Sequence, residues 1–115
     1  YACNHLDRLG SGYADGFGAE VLGAPLLARL AAECTEARHR EHVTLALWDN
    51  ASAYRLAAVP APAALAFPEL RFDVDRPEHL AELALLCERA GLDLTSSAAE
   101  VVAAARALAS AELTV

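Results

Sequence analysis

Apolar positions along this chain follow two periods, and the switches between them mark out the elements. Ala19-Glu20-Val21-Leu22 is a short strand candidate. Ala24-Pro25 then opens a helix, since proline is tolerated in a first turn. Leu26, Leu27, Leu30 and Ala31 give that helix an apolar stripe, and it runs to about Ala37. His39-Arg40-Glu41-His42 is a charged shoulder. Val43, Leu45, Leu47 and Trp48 follow on a shorter helix over about 41–48. Ser52 to Val59 reads as a strand anchored by Tyr54 and Leu56, and Pro60 and Pro62 end it because proline has no ladder donor. Phe67-Pro68 is a turn, and Glu69 to Val74 is the next strand. Arg76-Pro77 opens a helix with Leu80, Leu83, Ala84 and Cys87 as its apolar face and Gly91 as its stop. The last helix spans roughly Ser97 to Ala109, capped by Ser96 or Ser97. If Ser97 is the cap, Glu100 is its reciprocal partner.

Residues 5–18 hold no period and are rich in Gly, Asp and Tyr, which predicts a loop. Its four glycines lack the Lys-Ser/Thr ending of a phosphate loop. Tyr1-Ala2-Cys3-Asn4 reads as the end of a strand. The resulting order of strand, loop, strand, helix, helix, strand, strand, helix, helix is an α/β pattern without repeats. It has few strands for a doubly wound domain. The expectation is therefore that residues 1–115 are the C-terminal portion of a larger α/β domain whose N-terminal half is missing.

Composition narrows the partners. Apolar residues make up 56% of the 115, much of it alanine, so the core should be thin and the helices closely packed. The net charge of -7 argues against nucleic acid and anionic membrane as partners. An anionic small molecule stays open, because Arg29, Arg38, Arg40, Arg71 and Arg76 could converge in space. No run is long and apolar enough to span a membrane, and the wide spacing of Cys3, Cys34 and Cys87 fits no zinc or redox pattern. Both suit the cytoplasm.

Three polar clusters carry candidate chemistry. In Leu70-Arg71-Phe72-Asp73-Val74-Asp75-Arg76-Pro77-Glu78-His79-Leu80, Asp73 and Asp75 stand two apart and share a strand face. Asp75 could cap the following helix, or hold magnesium together with substrate phosphates. Asp73 suits an ion pair with Arg71. Arg40, Glu41 and His42 are a solvated helix edge or a set of donors for a sugar or carboxylate, with His42 a possible general base. In Asp15-Gly16-Phe17-Gly18-Ala19-Glu20, Asp15-Gly16 is a turn signal. Glu20, like Asn4, could bond a hydroxyl-rich substrate or simply tie the fold together. His39 and His42 have no third ligand nearby for zinc.

Taken in order, Asn4, Asp15-Gly16-Phe17-Gly18-Ala19-Glu20-Val21, Arg40-Glu41-His42-Val43-Thr44 and the Leu70–Leu80 segment resemble a known family. It is the C-terminal half of the cytidylyltransferases that include spore-coat polysaccharide biosynthesis protein F and the CMP-sugar-acid synthetases. The resemblance covers roughly residues 1–90. It implies a Rossmann-like nucleotidyltransferase sheet of the GT-A kind, in three α/β/α layers. It implies transfer of CMP from CTP to a sugar acid or related acceptor, with magnesium and release of pyrophosphate. Asp75 then looks like a magnesium ligand. Glu20 falls near the acceptor pocket, with Asn4, Asp15, Arg40 and His42 as further substrate-binding positions. A homodimer is also implied. The chain departs from the family pattern at Ala14, Gly18, Asp73 and His79, and the family's nucleotide loop lies outside it. Two alternatives follow: a nucleotide-sugar-dependent glycosyltransferase of related fold, and a degenerate, non-catalytic module that binds a partner chain.

Overall fold

The computed structural model describes residues 1–4 and 10–112, so the first part of the predicted loop, residues 5–9, lies outside the described residues. Among the described residues the chain forms a small mixed sheet and five α-helices. The strands are β1 (Ala2–Cys3), β2 (Glu20–Val21) and β3 (Ala57–Ala58), in the order β2-β1-β3. β1 runs antiparallel to β2, with Ala2 opposite Val21, and parallel to β3, with Ala2 opposite Ala57. Backbone bonds from Ala57 N–H to Tyr1 O (3.0 Å) and from Val59 N–H to Cys3 O (2.8 Å) close the parallel side.

Helix α1 (Ala24–Glu33) starts at Gly23, with Pro25 in its first turn, and stops at Cys34, whose N–H still bonds Leu30 O. The charged shoulder is itself helical, as α2 (Ala37–Glu41), and α3 (Leu45–Asp49) follows it. One 3-10 turn (Ala51–Ala53) stands where the predicted strand at Ser52 should begin. That strand contracts to β3.

The predicted strand at Glu69–Val74 contracts further, to a single parallel bridge between Asp15 and Arg71. Helix α4 (Pro77–Ala90) has Pro77 in its first turn and ends on Gly91 at φ 64°, a left-handed stop that glycine adopts without penalty. Helix α5 (Ala98–Glu112) begins with a reciprocal cap. Glu100 accepts the Ser97 N–H at 2.7 Å, and the Glu100 N–H donates to Ser97 Oγ at 3.3 Å.

The main core joins α1 and α3 to the sheet. Leu30, Ala46 and Leu47 form it, with Leu22, Leu26, Tyr54 and Leu56 packed around them. Leu47 is 0% exposed, and its burial contributes about 1.5–3 kcal/mol. α4 contributes no buried residue. Of the face read for it from sequence only Leu83 is half-buried, joined by Leu86, while Leu80, Ala84 and Cys87 are exposed. On α5, Val102 is buried. The chain is thus a small α/β unit with a three-stranded mixed sheet. Among the described residues no helix is long and apolar enough to cross a membrane.

Candidate functional site

Glu20 lies in β2, at the edge of the sheet, and two elements distant in sequence reach it. The Tyr1 hydroxyl donates to Glu20 Oε1 at 2.6 Å, and the Thr44 hydroxyl donates to the same oxygen at 3.0 Å. Both bonds fall on one carboxylate oxygen, and Oε2 accepts none among the described residues. The Tyr1 ring meets Trp48 edge-on, with centroids 5.4 Å apart. Burial, followed by the hydrogen bond to Glu20, pushes the Tyr1 phenol above its ordinary value. Asn4 fixes the approach to β2. Its amide N–H donates to Phe17 O at 2.9 Å, and its Oδ1 accepts the Ala19 N–H at 2.5 Å. Both ends of the Asn4 amide are therefore used in holding the loop.

Asp15, Asp73 and Asp75 gather on one guanidinium. Residues 71, 73 and 75 stand two apart along the segment that starts at the Asp15–Arg71 bridge. Arg71 contacts Asp73 at 2.6 Å, Asp75 at 3.3 Å and, across the bridge, Asp15 at 3.5 Å. The forked bond from Arg71 holds the Asp73 carboxyl down at about 2. Opposing charge supplied by arginine is what lets three carboxylates crowd together here.

The backbone bonds of Asp15 N–H to Leu70 O (2.9 Å) and Phe72 N–H to Asp15 O (3.0 Å) fix the two segments. Gly16 lies directly against the Phe72 backbone, where a Cβ would come within 2.7 Å of Phe72 C.

Asp75 does not cap α4. The cap position belongs to Arg76, which makes no side-chain capping bond. His79, three residues into the turn, reaches back instead, and its Nδ1 accepts the Asp75 N–H at 3.3 Å. Asp75 points outward, with 68% of its side chain exposed and Arg71 as its ion-pair partner. Among the described residues no group of three or more His, Cys, Asp or Glu side chains could hold a metal ion.

The arginines do not converge on one pocket. Arg29 pairs with Glu33 and Tyr54, Arg38 with Glu36 and Asp49, Arg71 with its three aspartates, and Arg76 with His79. Arg40 reaches back from α2, and its Nη1 donates to Cys34 O at 3.4 Å. It lines a recess beside α1 that Glu20 does not line. His42 ends α2, exposed, with its N–H on Arg38 O at 3.0 Å.

Sequence reading missed the pair of His39 and Asp49. His39 Nε2 meets Asp49 Oδ2 at 2.7 Å, and Arg38 holds the same oxygen at 2.7 Å. The ten-position separation crosses from α2 to α3, so no single-element period signals the pairing. A cleft of about 250 Å³ also opens between the Arg71 segment and α4, floored by Leu70, Phe72, Leu83 and Leu86.

The motifs therefore meet in pairs: Asn4 with the Phe17–Ala19 backbone, Glu20 with Thr44, and Asp15 with Arg71. Comparison with family models, with curated proteins and with solved structures gives no match to this chain.

Proposed function

We propose that this chain is the acceptor side of a cytidylyltransferase-like domain. The complete domain would transfer CMP from CTP to a sugar acid or related acceptor and release pyrophosphate. The observation that carries this reading is Glu20. Its Oε1 is pinned by Tyr1 and Thr44, leaving a pre-aimed Oε2 with no partner among the described residues. A carboxylate held in this way suits recognition of a hydroxyl-rich acceptor, because its orientation is fixed before the ligand arrives. The motifs that support the resemblance lie far apart in sequence, and pairwise contacts link them.

Asp75 fits the role of one magnesium ligand. Its carboxylate is largely exposed, and this ion takes one or two protein carboxylates alongside substrate phosphates. Bound there, magnesium would offset the charge of the triphosphate. Arg71 would set the direction of the Asp75 side chain, while Glu20 would orient the acceptor hydroxyls. Asn4 and Asp15 would hold the loop that leads into β2 and Glu20, and Arg40 and His42 would supply further donors.

The test is pyrophosphate release by the full-length protein with CTP, magnesium and a panel of 2-keto-3-deoxy sugar acids. Glu20→Gln keeps the oxygen that Tyr1 and Thr44 bond, and is expected to raise the acceptor KM roughly tenfold, the cost of one charged hydrogen bond. Asp75→Asn is expected to raise the magnesium requirement. Absence of both pyrophosphate release and CTP binding would overturn the proposal.

A second reading, a module that binds a partner chain, is favoured by one observation. The radius of gyration is 17.1 Å, against about 13 Å for a compact 100-residue domain.

A further inference from the structure

The recess between α1 and α2 has a volume of about 180 Å³. A cavity of about 150 Å³ admits benzene, so the recess suits a ligand of roughly six to nine heavy atoms. Its wall is aliphatic. Leu27, Leu30 and Ala31 come from one face of α1, and Val43 closes the other side. Leu27 and Val43 are 44% and 49% exposed, so this wall is apolar surface left in contact with water.

Two polar groups stand on the same recess. Arg40 has no carboxylate partner among the described residues, whereas Arg29, Arg38 and Arg71 each have at least one. Its bond to Cys34 O is long, at 3.4 Å, and keeps the guanidinium at the end of α1 beside the recess. His39 has only 10% of its side chain exposed. A carboxylate paired with arginine can only accept, so a neutral His39 facing Asp49 Oδ2 carries its proton on Nε2. That leaves Nδ1 as an acceptor with no partner among the described residues.

We infer that this recess binds a small 2-hydroxy carboxylate with an aliphatic tail. The carboxylate takes the fork of Arg40, the geometry in which guanidinium recognition is strongest. The hydroxyl next to it donates to His39 Nδ1. The tail lies against Leu27 and Val43 and covers their exposed methyls, with the buried Leu30 side chain behind them. Neither Glu20 nor Asp75 lines the recess, so the inference does not rest on the transferase reading and competes with it only for Arg40. The two differ in what Arg40 would hold: an aliphatic acid here, a polyhydroxylated one there.

The experiment is a methyl-detected NMR titration of the full chain with 2-hydroxy-4-methylpentanoate. Saturable shifts of the Leu27, Leu30 and Val43 methyls are expected. Three comparisons on the unmutated protein give the recognition chemistry. The methyl ester should bind roughly tenfold more weakly, for loss of the charged bond to Arg40. The 4-methylpentanoate without the hydroxyl should bind several-fold more weakly. A 2-keto-3-deoxy sugar acid should leave these methyls unshifted. Arg40→Gln should reproduce the effect of the ester, with the remaining spectrum unchanged as the control for folding. Absence of saturable shifts, equal binding of acid and ester, or preference of the recess for the sugar acid would each overturn the inference. The acid, ester and sugar-acid arms need no variant, so they decide the matter even if Arg40→Gln folds poorly.

Discussion

Gly16→Ala is the sharpest perturbation this fold offers. Gly16 sits at φ 97°, and a Cβ built there would come within 2.7 Å of Phe72 C, 2.9 Å of Asp73 N and 2.9 Å of Phe72 Cβ. Two of those neighbours are backbone atoms, which cannot turn aside as the end of a flexible side chain can. Two costs therefore add. A non-glycine residue at positive φ costs roughly 1–2 kcal/mol, and forced overpacking costs roughly 1–3 kcal/mol more. The expected loss is about 2–5 kcal/mol out of a domain stability of about 5–15 kcal/mol.

Gly91→Ala serves as the matched control. Its φ is also positive, at 64°, but a Cβ there meets nothing within 4 Å, so only the first cost of roughly 1–2 kcal/mol applies. Urea unfolding followed by circular dichroism measures both. With a slope of about 1–3 kcal/mol per molar, the Gly16 variant should lose its midpoint by roughly 0.7–3 M more than the Gly91 variant when the clash cost is about 2–3 kcal/mol. Equal midpoint shifts for the two variants would refute the argument, since they would mean that Gly16 does not press on the Phe72 backbone.

Three further outcomes follow from the packing and the charges. Leu47→Ala should cost about 2–5 kcal/mol in the same urea experiment, because Leu47 is wholly buried between α1 and the sheet. Asp73 is held at about 2 by Arg71, below its ordinary 3.8. The unfolded chain thus takes up its proton first as pH falls, and the stabilisation present above about pH 4 is lost on descending towards pH 2. Acid unfolding of Asp73→Asn should lack that component. Ser97→Ala removes the hydroxyl half of the reciprocal cap of α5 and should cost about 0.5–2 kcal/mol, with faster amide exchange in the first turn of that helix as the site-specific readout.

The elements legible in sequence are those whose signals are local. Pro25 and Pro77 mark the first turns of α1 and α4, Gly91 stops α4, and Ser97 with Glu100 caps α5. Each is fixed by residues within four positions. The Arg71–Asp73 pair was legible for the same reason. Failures cluster where a distant partner decides. The segment around Arg71 has strand-like alternation but finds only Asp15 to pair with, so one bridge forms. Asp75 fails for a local reason: it has the chemistry of a cap, but Arg71 and His79, each four positions away, compete for its carboxylate and its N–H. On α4 helical spacing favoured Leu80, Leu83, Ala84 and Cys87, whereas the cleft against the Phe72 segment keeps Leu83 and takes Leu86. At the candidate site, Glu20 could be named from its motif. Its tie to Thr44, 24 positions away, could not.

The order of the sheet also bears on how the protein emerges from the ribosome. β1 is the middle strand, and its parallel neighbour is β3, with Ala2 opposite Ala57. At about 5–20 residues per second, β3 is synthesised roughly 3–11 s after β1. β2 arrives much sooner, so an antiparallel ribbon of β1 and β2 can form with the other edge of β1 still bare. During that interval Cys3, buried in the finished sheet, remains open to solvent. A pulse of thiol-reactive reagent on stalled nascent chains should therefore label Cys3 until Ala58 has cleared the exit tunnel, and spare it afterwards.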